Sequence, residues 1–285
     1  MPTQEDALYD ILVPKNKQRA VDMDSFADLY GATAVEKDKA LLQERGAQSA
    51  PDRSHDLFAA IVNDQIEQSD WMGPSEKAIV VVTSPFDQLE NGIDSVIELS
   101  EGDSVSHLAL TVDIANNEEE IQKKFSAIRL SIEQGKLSCV KYFHSKDFRG
   151  ELENIARVVI GADDPVIEEV SGLLLRLIQL PKMILEDKRP EDAEELTKTR
   201  IEVAAHPLKR MILIEIKEQL EAFRAYAESL GKMDSMGEYS KVLHVIGGII
   251  VEKEIAGETI GGDDLMKDKI FKMIVEGARS FGKAV

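Results

Sequence analysis

Residues 86–99 read FDQLENGIDSVIEL, and residues 108–115 read LALTVDIA. Asn91-Gly92 is a turn signal, and the chain after it alternates with period two. Ile93, Ser95, Ile97 and Leu99 fall on one face, and Asp94, Val96 and Glu98 on the other. Glu101-Gly102-Asp103 has turn composition, and His107 to Ala115 reads as the facing strand. Two such runs joined by a short turn predict an antiparallel hairpin. It carries an aspartate near the start of one strand and another, Asp113, near the end of the next.

Moving towards the N-terminus, Ala78 to Val82 is a short apolar run suited to a buried strand. Before it, Leu57, Phe58, Ile61, Val62 and Ile66 recur at helical spacing, with Ser54 as a predicted cap and Gly73-Pro74 as a stop. Residues 1–54 are polar and acidic, predicting an N-terminal arm with a helix or two, and Gln43 to Arg53 has linker composition.

Towards the C-terminus, Asn116 or Asn117 is a predicted cap for a helix carrying Ile121, Phe125, Ile128, Leu130 and Ile132. Its first turn holds Glu118, Glu119 and Glu120, favourable at the positive end of a helix. Strands follow at Leu137 to Phe143 and Ala156 to Gly161, then a helix opened by Asp164-Pro165. Beyond Pro181 the pattern is helical only. Glu186 to Glu195 reads as a charged connection, and further helices span His206-Pro207 to Leu230, Glu238 to Glu254 and Asp263 to Phe281. The expected organisation is an acidic arm (1–54), an α/β core (55–180) and a C-terminal helical region (181–285).

The chain has 285 residues, is 43% hydrophobic and carries a net charge of −19, so it holds enough apolar material for a sizeable core. Residues 1–120 hold 8 basic and 25 acidic side chains, while residues 121–285 hold 26 and 28. The surplus lies on the arm and the hairpin region, which excludes a non-specific duplex coat or a polybasic membrane binder. Cys139 is the single cysteine, so no intramolecular disulfide can form and a Cys-rich zinc site is excluded. No apolar run is long enough to span a bilayer, and the first residues lack the basic and apolar regions of a secretory leader. A cytoplasmic protein without membrane partners is the expectation.

The hairpin stretch, with its Gly-Ile-Asp turn and the Val112-Asp113-Ile114 strand end, resembles the core motif of the PD-(D/E)XK nuclease superfamily. It is also similar to bacterial proteins assigned to that superfamily with a degenerate motif. The resemblance covers roughly residues 55–180. It implies a restriction-endonuclease-like core of helix, antiparallel hairpin, mixed sheet and flanking helices, here with a helical C-terminal extension. It also implies Mg²⁺ on Asp94 and Asp113, with Glu67 from the preceding helix as a further ligand. The lysine that the family places two residues after the second acid falls at Ala115, and alanine cannot orient water. Some members move this lysine to the following helix, where Lys124 stands, beside Lys123 and Gln122.

Each acid also has a plain structural role open to it. Asp94 suits a turn after Asn91-Gly92, Asp113 a strand end, and Glu67 a solvent-facing helix. A basic stretch at 136–160, including Lys141, His144, Arg149 and Arg157, suits either phosphate contact or a solvated strand-loop face. Two functions are therefore expected. One is a non-catalytic nuclease-like scaffold that binds a protein partner or forms a homo-oligomer through the C-terminal helices. The other is an active Mg²⁺-dependent nuclease that hydrolyses nucleic acid with Asp94, Asp113 and Lys124.

Overall fold

The computed structural model describes residues 3–46, 52–69, 71–73, 78–101, 104–113, 118–187, 190–262 and 264–281. Helix α1 (Gln4–Gln18) starts at a reciprocal cap, in which Thr3 Oγ1 accepts the Asp6 N–H and Asp6 Oδ2 accepts the Thr3 N–H. A 3-10 turn (Met23–Phe26), α2 (Ala27–Tyr30) and α3 (Ala32–Gly46) follow. In α4 (Arg53–Gln68) the cap is Asp52, whose Oδ1 accepts the His55 N–H at 3.1 Å. Asp52 takes the place expected for Ser54 because a carboxylate adds charge attraction to the hydrogen bond at a helix start.

Strands β1 (Ala78–Val82), β2 (Ser95–Glu101) and β3 (Ser104–Asp113) form an antiparallel meander, with Val82 opposite Ser95 and Ser95 opposite Leu110. Helix α5 (Glu118–Gln134) crosses to β4 (Ser138–His144), which turns back into β5 (Arg149–Gly161). The sheet has 5 strands in the order β1-β2-β3-β5-β4, with β3 and β5 parallel and the other neighbours antiparallel. The chain is thus mixed α/β, as expected. The predicted turn at Gly102-Asp103 and the predicted cap at Asn116 or Asn117 lie outside the described residues.

Two segments extend beyond their expected limits. β5 starts at Arg149, because its polar first half pairs with β4 through register shifts, with Asn154 at φ 55°. These irregularities erase the period-two pattern there. Helix α6 (Asp164–Asp187) runs through Pro181, and α7 (Pro190–Ala204) occupies most of the expected charged connection. α7 packs on α6, with Arg176 paired to Glu195 at 3.1 Å, and buries Thr199 and Val203. The chain ends with α8 (Pro207–Ser229), α9 (Met233–Ile255) and α10 (Lys269–Ser280). No described helix is long and apolar enough to cross a membrane.

Alternation along the strands divides the interior into two cores. Ala78, Val80, Ile97, Leu99 and Leu108 face the larger one, which also takes Leu8, Ile61, Ile128, Leu174, Ile212, Ile246 and Ile274 from the helices. Val81, Val96, Val140 and Tyr142 face the smaller one, covered by Met23, Phe26 and Val35. The turn after β1 (Asp87–Asn91) reaches β4 on the opposite edge, so the sheet is curled. There Asp87, fully buried, accepts the N–H groups of Lys141 (2.7 Å) and Tyr142 (3.0 Å).

Other strand edges are met in a similar way. Val21 N–H donates to Val82 O at 3.1 Å along β1. Past the reach of β4, Gln219 of α8 accepts from Val159 N–H at 2.9 Å and donates to Val159 O at 2.6 Å. One buried amide side chain therefore stands in for a residue of a neighbouring strand.

Candidate functional site

Asp94 precedes β2, and its position is set from both sides. Gly92 adopts φ +60°, a left-handed conformation that glycine takes without strain, and turns the chain out of the Asp87–Asn91 turn. Thr83 then donates its N–H to Asp94 O at 3.2 Å, extending the β1–β2 pairing. The side chain meets the start of α4, where His55 Nε2 lies 2.8 Å from Asp94 Oδ1. From β5, Arg157 donates to Asn91 O at 3.0 Å and Gly92 O at 2.8 Å, and its charge acts on Asp94. Lys124 of α5 is close enough for its charge to act on His55. Tyr239 of α9 lies buried beside Arg157.

Burial works against protonating His55, but the hydrogen bond and charge of Asp94 outweigh it. Asp52 adds to the attraction, Lys124 opposes it, and the net shift is upward. Arg157 is lowered by burial and partly restored by Asp94. Burial raises the Tyr239 phenol, so it is a neutral hydroxyl against the guanidinium. The centre is one carboxylate faced by a guanidinium and an imidazole that its own charge helps to protonate. It opens into a groove of about 780 Å³ whose walls include Val13, Leu42, Ala59 and Leu89. Asn16, Lys17, Asp52, Asp56 and Gln88 line it as well, so the groove combines apolar walls with polar and charged groups, as small binding sites do.

Of the residues singled out in the sequence, Asp94 contacts His55, and the charge of Lys124 acts on that imidazole. Asp113 closes β3 opposite Gly161 of β5, at the same end of the hairpin as Asp94. Its side chain lies outside the described residues, as does Ala115. Glu67 is elsewhere. It sits in the last turn of α4, roughly 18 Å along the helix from His55, and is ion-paired with Arg19. Burial raises the Glu67 carboxyl and Arg19 lowers it, with a net upward shift.

Among the described residues, no group of three His, Cys, Asp or Glu side chains is arranged to hold a metal ion. Hard cations such as Mg²⁺ collect oxygen ligands. Among the described side chains, Asp94 meets an imidazole and a guanidinium rather than a further ligand oxygen, while the side chain of Asp113, the second expected ligand, lies outside them.

The basic stretch is also largely engaged. Lys141 Nζ donates to Asp38, Arg149 pairs with Asp28 at 2.5 Å, and Arg157 faces inward to the centre. His55 and Arg157 were not singled out for this centre from the sequence. Nothing local links residue 55 to residue 94, but an arginine inside the apolar run Ala156 to Gly161 was a visible signal. No model of a known protein family, no curated protein and no solved structure matches this chain.

Proposed function

We propose that the chain is a PD-(D/E)XK-like scaffold that has lost catalysis and serves as a protein-interaction or self-association module. The element order supports a nuclease-like core. α4, the meander β1–β3, α5 and a strand parallel to β3 supply the helix, three strands, helix and strand of that superfamily, with β4 added at the sheet edge. A shared core does not carry a shared activity. The observation that carries the loss of catalysis is the His55–Asp94 pair, with Arg157 close behind. Protein cations neutralise the one expected metal ligand whose described side chain reaches the centre. Exposed apolar residues on α9, Val251 and Ile255, support association through the C-terminal helices.

The alternative, a Mg²⁺-dependent nuclease acting on nucleic acid, draws on two placements. Asp113 ends its strand at the same end of the hairpin as Asp94, and the charge of Lys124 acts on His55. Thermal unfolding and cleavage of single- and double-stranded DNA and RNA, with Mg²⁺ or Mn²⁺ added to wild type and Asp94→Asn, separate the two. The scaffold predicts neither a metal-dependent rise in Tm nor cleavage. Metal-dependent cleavage that Asp94→Asn abolishes would overturn it. For the interaction half, sedimentation of wild type against Val251→Asp/Ile255→Asp should show self-association that the double variant loses.

A further inference from the structure

The starts of α6 and α10 meet through two aspartates, each capping its own helix and binding the start of the other. Asp163 accepts the Val166 N–H and, through Oδ2, the Lys269 N–H, both at 3.4 Å. Asp268 accepts the Phe271 N–H at 2.7 Å and the Asp163 N–H at 2.8 Å. Behind them Glu215 of α8, fully buried, accepts the Gly161 N–H at 3.2 Å, while its Oε1 has no partner among the described residues. Three carboxyl groups from α6, α8 and the cap of α10 thus crowd one joint. Two helix N-termini attract negative charge there, but not enough for every group to ionise freely.

We propose that the Asp163–Asp268 pair is a proton-operated latch, which fastens α10 to α6 and α8 in mild acid and loosens it towards neutral pH. With one proton between them, the two side chains form an O–H···O contact and keep their caps. Without it, two carboxylates face each other inside the joint.

Among the described residues, little offsets that repulsion. The charge of Asp163 acts on Asp268, and that of Asp268 acts in turn on the buried Glu215. Lys267 and Lys269 flank Asp268 in sequence, with Lys267 acting on Asp264. β5 contributes the Gly161 N–H. α5 meets the far end of α10, where Phe125 packs on Phe281 and Arg129 donates to Phe281 O.

Burial and the charge of Asp163 outweigh the two backbone hydrogen bonds and hold Asp268 at about 6, above the ordinary 3.8. An acid raised on folding favours the protonated folded state, so its contribution is present at low pH and is lost as pH rises through about 6.

The test is hydrogen exchange of the full chain at pH 5 and pH 7.5, corrected for intrinsic rates and read over residues 269–280. Opening of α10 in wild type should rise about tenfold between the two pH values. Asp268→Asn keeps a capping acceptor and carries no charge, so it should remove that rise. Equal pH dependence in wild type and Asp268→Asn would overturn the latch. If Asp268→Asn fails to fold, carbon-13 titration of wild-type carboxyl groups serves instead. Proton loss from Asp268 near pH 6, followed by the α10 amides, supports the latch, and α10 amides that ignore that titration overturn it.

Discussion

His55 Nε2 and Asp94 Oδ1 lie 2.8 Å apart, joining the first turn of α4 to the residue that starts the central hairpin. The pair ties a helix on one side of the sheet to the turn that sets the β1–β2 register. Because His55 is raised on folding, the protonated pair stabilises the fold below about pH 6.5 and fades as pH climbs through the folded value. His55→Ala should therefore lose about 1–2 kcal/mol at pH 5.5 and clearly less at pH 8.5. Thermal unfolding of wild type, His55→Ala, Asp94→Asn and the double variant across that range checks the coupling.

Gly92→Ala tests the turn that presents Asp94. At φ +60° a side chain is strained, and a Cβ would sit 3.1 Å from Arg157 Nη2. The expected cost is about 1–2 kcal/mol. The variant should also weaken the pH dependence of the His55 pair, since Arg157 is pushed off its carbonyls. Urea unfolding at two pH values measures both effects.

Asp87 is a buried carboxylate with a structural task. It accepts from Ser84 Oγ, Asn91 Nδ2 and two N–H groups of β4, and so fastens the turn after β1 to the opposite sheet edge. Asp87→Ala leaves those donors unpaired in the interior and should cost about 3–4 kcal/mol or prevent folding. Amide exchange at Lys141 and Tyr142 in Asp87→Asn, the milder variant, should rise well above that of the main core.

Gln219 and Glu215 occupy neighbouring turns of α8 but predict opposite outcomes. Gln219→Leu strips Val159 of both hydrogen-bond partners and should destabilise by about 2–3 kcal/mol at all pH values.

Glu215→Gln should instead stabilise. Burial raises the Glu215 carboxyl well above its ordinary value, so the wild-type fold is favoured by protonation and loses stability as pH rises above about 4.5. The amide keeps an acceptor for Gly161 N–H and cannot ionise. A gain of at least ~1 kcal/mol at pH 8, shrinking at pH 4, is expected from paired denaturation curves.

The order of helices and strands from α4 to α6 was legible because each signal is local. Alternation at Ile93 to Leu99, helical spacing at Leu57 to Ile66 and turn residues at Asn91-Gly92 report conformations decided within a few residues. Legibility failed where local signals conflict with tertiary contacts. α6 runs past Pro181 although Met183 and Leu185 beyond it are exposed, and α7 forms from a charged run because it packs on α6. Asp94 was picked out by its place on the hairpin, yet what faces it was not. His55 and Arg157 arrive from elements distant in the chain.

Periodicity and turn chemistry thus decided which segments are helix or strand, and composition placed the acid surplus on the first 120 residues. Packing alone decided that β5 lies beside β3, that Gln219 completes the edge of β5, and that Asp94 meets an imidazole and a guanidinium. The physical reason is one of range. Backbone preference and hydrophobic pattern act between near neighbours in the chain. Burial, charge compensation and hydrogen-bond satisfaction act between whichever groups the closed fold brings together.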